Sequence, residues 1–356
     1  MQDRKRDIAE LRQRIGEVDR ELVQRLDARA RLSKKLRALV EGEPAIDVGE
    51  REWLATLASY SSGELPAESL RAVFRQIRAE ARALEQPTRV AYLGPEGSHC
   101  HQVARGWFGA SATFIDSATV AEALDEVVRE RAACAVFPFE STMDGLAQPA
   151  VTSLAQTELV MVAARTLPAM YSLMSRTGNA SDLDKVYATP AAHAACERYL
   201  ARVLPKATVL DVRSPVVAAQ LASEDHGSAA LIPEECGRAA DLAVAEANVG
   251  DEPDLAYRYG LASARPASRS GNDTTALLFS IDDTPGALFD VLKHFAERGI
   301  NLSKLQSRPV RGESWAYLFY VEVTGHVTDR PVVTALEAIK RATKYLKVLG
   351  SFPTLS

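Results

Sequence analysis

The spacing of apolar residues changes near residue 87, and this change excludes a fold built around one core. Before it, apolar side chains recur every three or four residues, which is typical of a helix in a bundle or coiled coil. After it, short apolar runs alternate with alanine-rich stretches, which favours strands followed by helices and parallel sheets. A chain of 356 residues has room for two or three domains. We therefore expect a helical domain followed by α/β structure.

The helical segment carries one apolar stripe, which two arginines interrupt. The stripe consists of Ile8, Leu11, Ile15, Val18, Leu22, Leu32, Leu36 and Leu39. Arg25 and Arg29 occupy stripe positions, where an unpaired charge would be costly. The stretch from Pro66 to Leu84 predicts another helix. Three helices, one of them this long, usually need a partner chain to cover the apolar stripe, so we expect a homodimer.

The middle of the chain opens on a strand that runs into a glycine-rich turn. Val90–Leu93 is followed by Gly94-Pro95-Glu96-Gly97, and polar side chains follow where a helix should begin. The first N–H groups of a helix lack internal partners, so this arrangement favours binding of an anion. Further strands are predicted at Ala133–Phe137, Leu159–Val162, Lys185–Ala188, Thr208–Val212 and Ser228–Ile232.

A second change in the sequence follows the linker from Pro266 to Gly271. Four strands and two helices are predicted, at Thr274–Ile281, Gly286–Arg298, Ile300–Pro309, Trp315–Thr324, Arg330–Ala342 and Tyr345–Ser351. Their order is βαββαβ, which is the ferredoxin-like arrangement.

Composition narrows the class of protein further. The net charge of −5 gives no basis for binding nucleic acid or an anionic membrane. No apolar run approaches the ~18 residues of a membrane span, and the N-terminus does not read as a signal peptide. The four cysteines lie far apart, which fits reduced thiols and a cytoplasmic protein. His99-Cys100-His101 could form a metal site or supply a cysteine nucleophile. The alternative interpretation is that these residues line a polar turn and cap the next helix. We expect no metal.

Several motifs together resemble one enzyme family. They are Leu11-Arg12 with Arg29 and Arg51-Glu52; Tyr92-Leu93-Gly94-Pro95-Glu96-Gly97 and Pro138-Phe139-Glu140; and Pro285-Gly286-Ala287-Leu288, Gln306-Ser307-Arg308-Pro309 and Val348-Leu349-Gly350-Ser351. The chain resembles the bifunctional chorismate mutase–prephenate dehydratase (P-protein) family. The resemblance implies an all-α chorismate mutase-type helical domain (1–86), a two-lobed, periplasmic-binding-protein-like α/β dehydratase domain (88–265) and an α+β ferredoxin-like ACT domain (273–353).

The resemblance also implies the reactions and the residues of the first site. The family rearranges chorismate to prephenate and converts prephenate to phenylpyruvate, with phenylalanine feedback and no cofactor. Arginines suit the chorismate dianion because their forks bind carboxylates in pairs of hydrogen bonds. By resemblance the mutase site uses Arg12 (from the partner subunit), Arg29, Arg51, Glu52 and Glu85. A family lysine is replaced by Val40, and losing such a donor costs ~10²–10³ in rate.

For the dehydratase site, the resemblance implies a general acid for the departing hydroxide, worth ~10²–10⁴-fold. The residues carried over are Ser98, Cys100, Glu140, Ser141, Thr142, Tyr257 and Arg258. The family's threonine acid is Tyr257 here, and a serine and a glutamine are Ala188 and Ala195. By resemblance Arg258 binds a carboxylate. Tyr257 could itself be the acid, or the site could decarboxylate prephenate without dehydration.

The ACT-like segment resembles the family's phenylalanine site. The residues concerned are Gly286, Ala287, Leu288, Gln306, Ser307, Arg308 and Pro309. Backbone N–H groups at the helix that Gly286 opens can take an amino-acid carboxylate. A dimerisation domain that binds no effector is the alternative. For the whole chain, a catalytically eroded paralogue that senses phenylalanine or assembles with another subunit is the second hypothesis.

Overall fold

The computed structural model describes residues 2–39, 53, 56–57, 59–85, 88–109, 112–181, 183–309 and 317–354. These residues form two compact units. The first contains the N-terminal helices together with residues 106–112, and the second contains residues 88–105 and 113–354.

Within the described residues, the first unit contains two long helices, at positions that the apolar spacing predicts. Helix α1 spans Gln2–Leu39 and helix α2 spans Ala67–Glu85. At a rise of about 1.5 Å per residue, α1 is about 57 Å long. Its apolar stripe is exposed: Leu11, Ile15 and Leu32 keep 60%, 60% and 66% of their surface accessible. The stripe therefore offers a long apolar face to another chain.

The second unit begins with a lobe built on a mixed sheet. Its elements are β1 (Arg89–Leu93), α3 (His99–Phe108), β2 (Thr113–Ser117), α4 (Val120–Val128), β3 (Cys134–Ser141), β4 (Gly145–Leu146), α5 (Gln148–Ala155) and β5 (Val160–Pro168). Strand β1 lies between β2 and β3 and is parallel to both, as predicted.

A second lobe follows, with its own five-stranded sheet. Its elements are β6 (Ser172–Ser175), β7 (Lys185–Ala188), α6 (Pro190–Ala195), α7 (Glu197–Val203), β8 (Thr208–Asp211), α8 (Pro215–Glu224), β9 (Ser228–Ile232), α9 (Glu234–Ala239) and β10 (Ala243–Glu246). The strand order is β10-β6-β9-β7-β8. Side chains such as Leu173, Val186 and Leu231 fill its core.

The chain crosses between the lobes twice, and the two crossings are hydrogen-bonded to each other. The Ala169 amide donates to Leu255 O over 2.8 Å, and the Val249 amide donates to Tyr171 O over 2.8 Å. After the second crossing the chain forms β11 (Ala256–Ser263), which lies antiparallel between β3 and β5. The expectation of parallel sheets is wrong for β11, because the returning chain enters the first sheet from the opposite end. It is also wrong for β6, which is antiparallel to both of its neighbours, β9 and β10.

The C-terminal domain has the predicted βαββαβ order. Its elements are β12 (Asp273–Ser280), α10 (Ala287–Ala296), β13 (Leu302–Pro309), β14 (Tyr317–Thr324), α11 (Arg330–Ala342) and β15 (Tyr345–Pro353). Its strands have the order β13-β14-β12-β15, all antiparallel. Both helices pack on an apolar core that includes Phe279, Phe295 and Ile339.

The sheet of the C-terminal domain continues into the sheet of the first lobe. Gly350 of β15 pairs with Met161 of β5 in a parallel arrangement. A Cβ atom on Gly350 would lie 2.1 Å from the Met161 carbonyl oxygen, and its φ of +146° also favours glycine. The apolar core is shared as well, since the rings of Phe139 and Tyr320 lie 5.6 Å apart within one cluster.

In the ranges given above, no helix combines the length and the apolar character needed to cross a bilayer. All four cysteine thiols are free.

Candidate active site

In the first unit, Arg29 lies beside an aromatic side chain. Its guanidinium carbon is 5.8 Å from the ring centre of Trp53, and that of Arg78 is 4.6 Å from the same centre. Phe74 meets Trp53 edge-on at 5.9 Å. Two cations are therefore gathered around one ring, and sequence reasoning missed Arg78, which has no distinguishing signal among the many arginines of α2.

Arg12 is exposed on the same helix as Arg29, seventeen residues earlier. At about 1.5 Å per residue, the two positions are about 25 Å apart along the axis. One chain therefore does not bring these two arginines to one small substrate. Val40, Arg51, Glu52 and the side chain of Glu85 lie outside the described residues.

The glycine turn after β1 has the geometry that its sequence predicts. Gly94 and Gly97 have φ values of +95° and +80°, a region in which a side chain is strained. Ser98 Oγ accepts a hydrogen bond from the His101 amide over 3.2 Å and so caps helix α3. The turn therefore presents the N-terminus of α3 at the edge of the first lobe.

The second lobe presents a matching helix end. Ser214 is buried and caps α8, accepting a hydrogen bond from the Val217 amide over 3.1 Å. A Cβ atom on Gly97 would lie 2.3 Å from Val216 Cγ2 and 3.5 Å from the Val216 nitrogen. The starts of α3 and α8 thus meet across the cleft, and both helix dipoles favour negative charge there.

His99, Cys100 and His101 serve packing rather than exposed chemistry. Cys100 Sγ donates to the Val136 carbonyl over 3.1 Å, and burial raises the pKa of the thiol to about 12. His101 Nδ1 accepts from the Gly97 amide over 3.1 Å, and its ring stacks on Tyr92 at 4.9 Å. Burial lowers the pKa of both histidines. Across the described ranges, no group of three or more possible metal ligands comes together.

Ser141 and Tyr257 face each other in the β3–β11 pair. Ser141 Oγ donates to Asp144 Oδ2 over 3.1 Å and accepts from the Asp144 amide over 2.8 Å. Burial raises the pKa of Tyr257, and the negative charge of Asp144 raises it further. The half-buried phenol therefore stays protonated at neutral pH and packs beside the second lobe. Thr142 joins the two strands, since its Oγ1 accepts from the Ala256 amide over 3.1 Å.

Glu140 and Arg258 are also cross-strand neighbours, but they lie on the opposite face of the sheet. Arg258 Nε is 3.2 Å from Glu140 Oε2. The Arg258 guanidinium also binds both carboxylate oxygens of Glu322 in β14 and donates to the Tyr320 hydroxyl over 3.3 Å. Lys304 of β13 donates to Glu140 Oε1.

These contacts occupy Arg258, the group that the resemblance implies for a substrate carboxylate. The side chains of Arg258 and Glu322 are only 18% and 7% exposed. Burial opposes the charge on each, but their pairing outweighs it, raising the pKa of Arg258 and lowering that of Glu322. In this structure Arg258 therefore connects β11 to the C-terminal sheet and points away from the cleft.

The two replaced positions of the second lobe lie in apolar surroundings. Ala188 is fully buried at the end of β7, and Ala195 packs against the same core at the end of α6. The Ala195 carbonyl accepts a hydrogen bond from the Asp251 amide over 2.8 Å. Neither side chain can donate or accept a proton.

The residues that resemble the effector site lie on two elements of the C-terminal domain. Gly286 (φ +88°) is exposed and precedes α10, where Ala287 and Leu288 are half-buried. On β13, Ser307 is exposed, whereas Gln306 and Arg308 reach the first lobe. The side chain of Pro309 lies outside the described residues.

Sequence reasoning missed Asp144, Lys304, Tyr320 and Glu322. Asp144 follows β3 in a polar turn, which is a weak signal. The other three belong to strands whose polar residues look like solvent-facing positions until the two sheets are joined.

Comparison with known proteins gives the same three parts in the same order. Residues 11–86 match "Chorismate mutase type II", residues 90–267 match "Prephenate dehydratase", and residues 275–341 match "ACT domain".

Relatives that resemble the chain from end to end carry both activities in their names. A "Bifunctional chorismate mutase/prephenate dehydratase" of Aquifex aeolicus is 32% identical over 98% of each chain. One of Pseudomonas aeruginosa is 31% identical over 96% of each chain. Among solved structures, a prephenate dehydratase from Arthrobacter aurescens in complex with L-Phe is 29% identical, with a TM-score of 0.63 over 75% of this chain and 90% of that one.

Proposed function

This chain belongs to the bifunctional chorismate mutase/prephenate dehydratase family, and from this we propose that it rearranges chorismate to prephenate and converts prephenate to phenylpyruvate under phenylalanine control. The observation that carries the proposal is the end-to-end similarity to a relative with both activities, 98% of each chain at 32% identity. The order of the three family matches supports it.

We place the mutase reaction in the helical unit, at a site that two chains form together. The exposed stripe on α1 supports a homodimer in which a second copy covers these apolar side chains. Arg29, half-buried beside Trp53, holds one carboxylate of chorismate, and Arg12 of the partner subunit holds another. The distance of about 25 Å between Arg12 and Arg29 along one helix supports this division. By resemblance Arg51, Glu52 and Glu85 complete the site.

The dehydratase reaction belongs to the cleft between the lobes. Prephenate loses CO₂ while its ring hydroxyl leaves, and the departing oxygen needs a proton to leave as water. Tyr257 supplies that proton: burial and Asp144 keep the phenol protonated, so it is available to donate at neutral pH. Ser141 lies directly opposite Tyr257 and orients the departing ring hydroxyl of prephenate. The paired N-termini of α3 and α8, with Ser98 as a cap, hold a carboxylate of the dianion.

Phenylalanine control belongs to the C-terminal domain. The relative from Arthrobacter aurescens was solved with L-Phe bound, which supports an amino-acid effector for this chain. Gly286 and Leu288 offer backbone N–H groups for its carboxylate on either side of Ala287, and β13 of the same domain carries the second motif. We also place the protein in the cytoplasm, consistent with four free thiols.

The test is a product assay on the purified full-length chain. With chorismate, then with prephenate, the expected product is phenylpyruvate, identified by mass and absorbance. Release of CO₂ with a non-aromatic keto acid would instead establish decarboxylation without dehydration. Consumption of neither substrate would overturn the proposal.

A further inference from the structure

Strand β13 presents three side chains in a row to the first lobe. Lys304, Gln306 and Arg308 are half-buried, whereas the residues between them, Leu305 and Ser307, are exposed. The alternation follows from the two-residue period of a strand. One face of β13 is therefore committed to the dehydratase lobe, and the other faces outward.

All three side chains of the row contact the segment 140–148 of the first lobe. Lys304 donates to the Glu140 carboxylate at the start of this segment. Gln306 Oε1 accepts from the Leu146 amide over 3.4 Å in its middle. Arg308 donates to the Leu146 carbonyl and to the Gln148 side chain at its end. The row thus holds the segment along its length.

The segment 140–148 also carries groups of the proposed dehydratase site. Ser141 and Asp144 belong to it, and Tyr257 lies directly opposite Ser141. Gly145 leaves the chain close to the row, since a Cβ atom there would lie 3.3 Å from the Gln306 amide group. The residues that border Tyr257 are therefore in direct contact with β13 through this row.

A second contact ties the same place to the same sheet. Glu140, which Lys304 holds, also pairs with Arg258, and Arg258 binds Glu322 in β14. These side chains lie on the face of the β3–β11 pair opposite to Ser141 and Tyr257. The C-terminal domain consequently holds both strands of the site, β3 and β11, by contacts on the face opposite to Ser141 and Tyr257.

We infer that Lys304, Gln306 and Arg308 are positioning residues for the dehydratase reaction, and that they transmit the binding of an amino acid beside β13 to the segment 140–148. The inference rests on the proposed function and adds the route of its control. Strand β13 is the outermost strand of its sheet, so within the described residues its outer edge has no strand partner and can meet a ligand. Coupling of this kind must be reciprocal between effector and substrate.

The test uses Lys304→Met in the full-length chain, because Gln306 and Arg308 belong to the effector motif and their loss could abolish binding itself. L-Phe binding is measured by calorimetry, its effect on KM and kcat for prephenate by phenylpyruvate formation, and the segment 140–148 by hydrogen exchange. The variant is expected to bind L-Phe within about threefold of the wild type. Allosteric effectors commonly change the affinity of a second ligand by about 5- to 150-fold. In the variant, the effect of L-Phe on KM for prephenate should shrink at least fivefold. Exchange in the segment should rise and stop responding to L-Phe.

Two further variants sharpen the result. Lys304→Arg keeps the charge and should restore both readouts. Lys340→Met removes an exposed lysine of α11 and should match the wild type throughout. The inference is overturned if Lys304→Met leaves both the effect of L-Phe on prephenate kinetics and the hydrogen exchange of the segment 140–148 unchanged. It is also overturned if L-Phe does not change hydrogen exchange of this segment in the wild type. If the wild type makes no phenylpyruvate, the proposed function fails, while hydrogen exchange still decides this inference.

Discussion

Glu322 of the C-terminal sheet binds Arg258 of strand β11 through both of its carboxylate oxygens. Arg258 directly follows Tyr257 in the chain, yet successive side chains of a strand point to opposite faces. The tyrosine is therefore directed toward the cleft and the arginine toward the regulatory sheet. Of these two adjacent residues, Tyr257 thus serves the chemistry of the dehydratase site, and Arg258 attaches the strand to the C-terminal domain.

Tyr257→Phe removes the proposed proton donor with little change in shape. We expect kcat for dehydration to fall about 10²–10⁴-fold, the usual contribution of a general acid. The matched control is Tyr259→Phe, at a buried tyrosine two residues further along the same strand. Its kcat should stay within threefold of the wild-type value. Equal losses in both variants would show that the effect is structural.

Asp144→Asn tests the electrostatics around Tyr257. The negative charge of Asp144 disfavours the tyrosinate, so its removal should lower the pKa of Tyr257. The alkaline limb of kcat/KM against pH should therefore move to lower pH, while the acidic limb stays. Movement in the opposite direction would rule out Tyr257 as the group that this limb reports.

Gly97→Ala tests the close approach of the two lobes. The new methyl group would lie 2.3 Å from Val216 Cγ2, so the starts of α3 and α8 would have to move apart. We expect KM for prephenate to rise at least about tenfold, equivalent to about 1.4 kcal/mol. Adding Val216→Ala should recover much of this rise in KM, while the backbone strain at a positive φ should cost both variants about 1–2 kcal/mol of stability. Val216→Ala alone is the control, and a double variant no better than Gly97→Ala would contradict the explanation.

Arg258→Met leaves Glu322 buried without its principal partner. Breaking such a pair usually costs about 3–5 kcal/mol of unfolding free energy. Urea denaturation should show this loss, and the double variant Arg258→Met/Glu322→Gln should recover part of it. Arg238→Met breaks an exposed pair with Glu234 and should cost less than about 1 kcal/mol.

The pair of Arg258 and Glu322 should also make the stability of the fold depend on pH in the acidic range. Because pairing with Arg258 holds the pKa of Glu322 below its ordinary value of 4.5, the carboxylate stabilises the fold above that pH. This contribution is lost as the pH falls through the lowered pKa. Thermal unfolding of Glu322→Gln should therefore depend less on pH below about 4.5 than unfolding of the wild type. Identical acid profiles would exclude Glu322 as a contributor.

Local patterns predicted most elements of the fold. The strands at Lys185–Ala188 and Ser228–Ile232 and the helix at Arg330–Ala342 have the bounds that their apolar spacing indicates. The spacing of α1 likewise predicts a helix with one apolar face. These elements depend on residues that are close to one another in the sequence, so local spacing is enough to predict them.

The arrangement of the site depended on contacts that local patterns do not contain. Whether Arg258 faces the cleft or the C-terminal domain is decided by the pairing of β11 with β3, between distant parts of the chain. Asp144 gains its role only because Ser141 and Tyr257 meet across that pair. The burial of Cys100 against Val136 likewise becomes visible only once β1, α3 and β3 are packed.

The apolar core shared by Phe139 and Tyr320 has a consequence for how this enzyme can change during evolution. A chain that lost the C-terminal domain would expose the back of its dehydratase lobe, so feedback control cannot be discarded by truncation alone. Substitutions that relieve feedback should instead collect on the outward face of β13, at positions such as Leu305 and Ser307. There a side chain can alter the response to an amino acid while the common core keeps its packing.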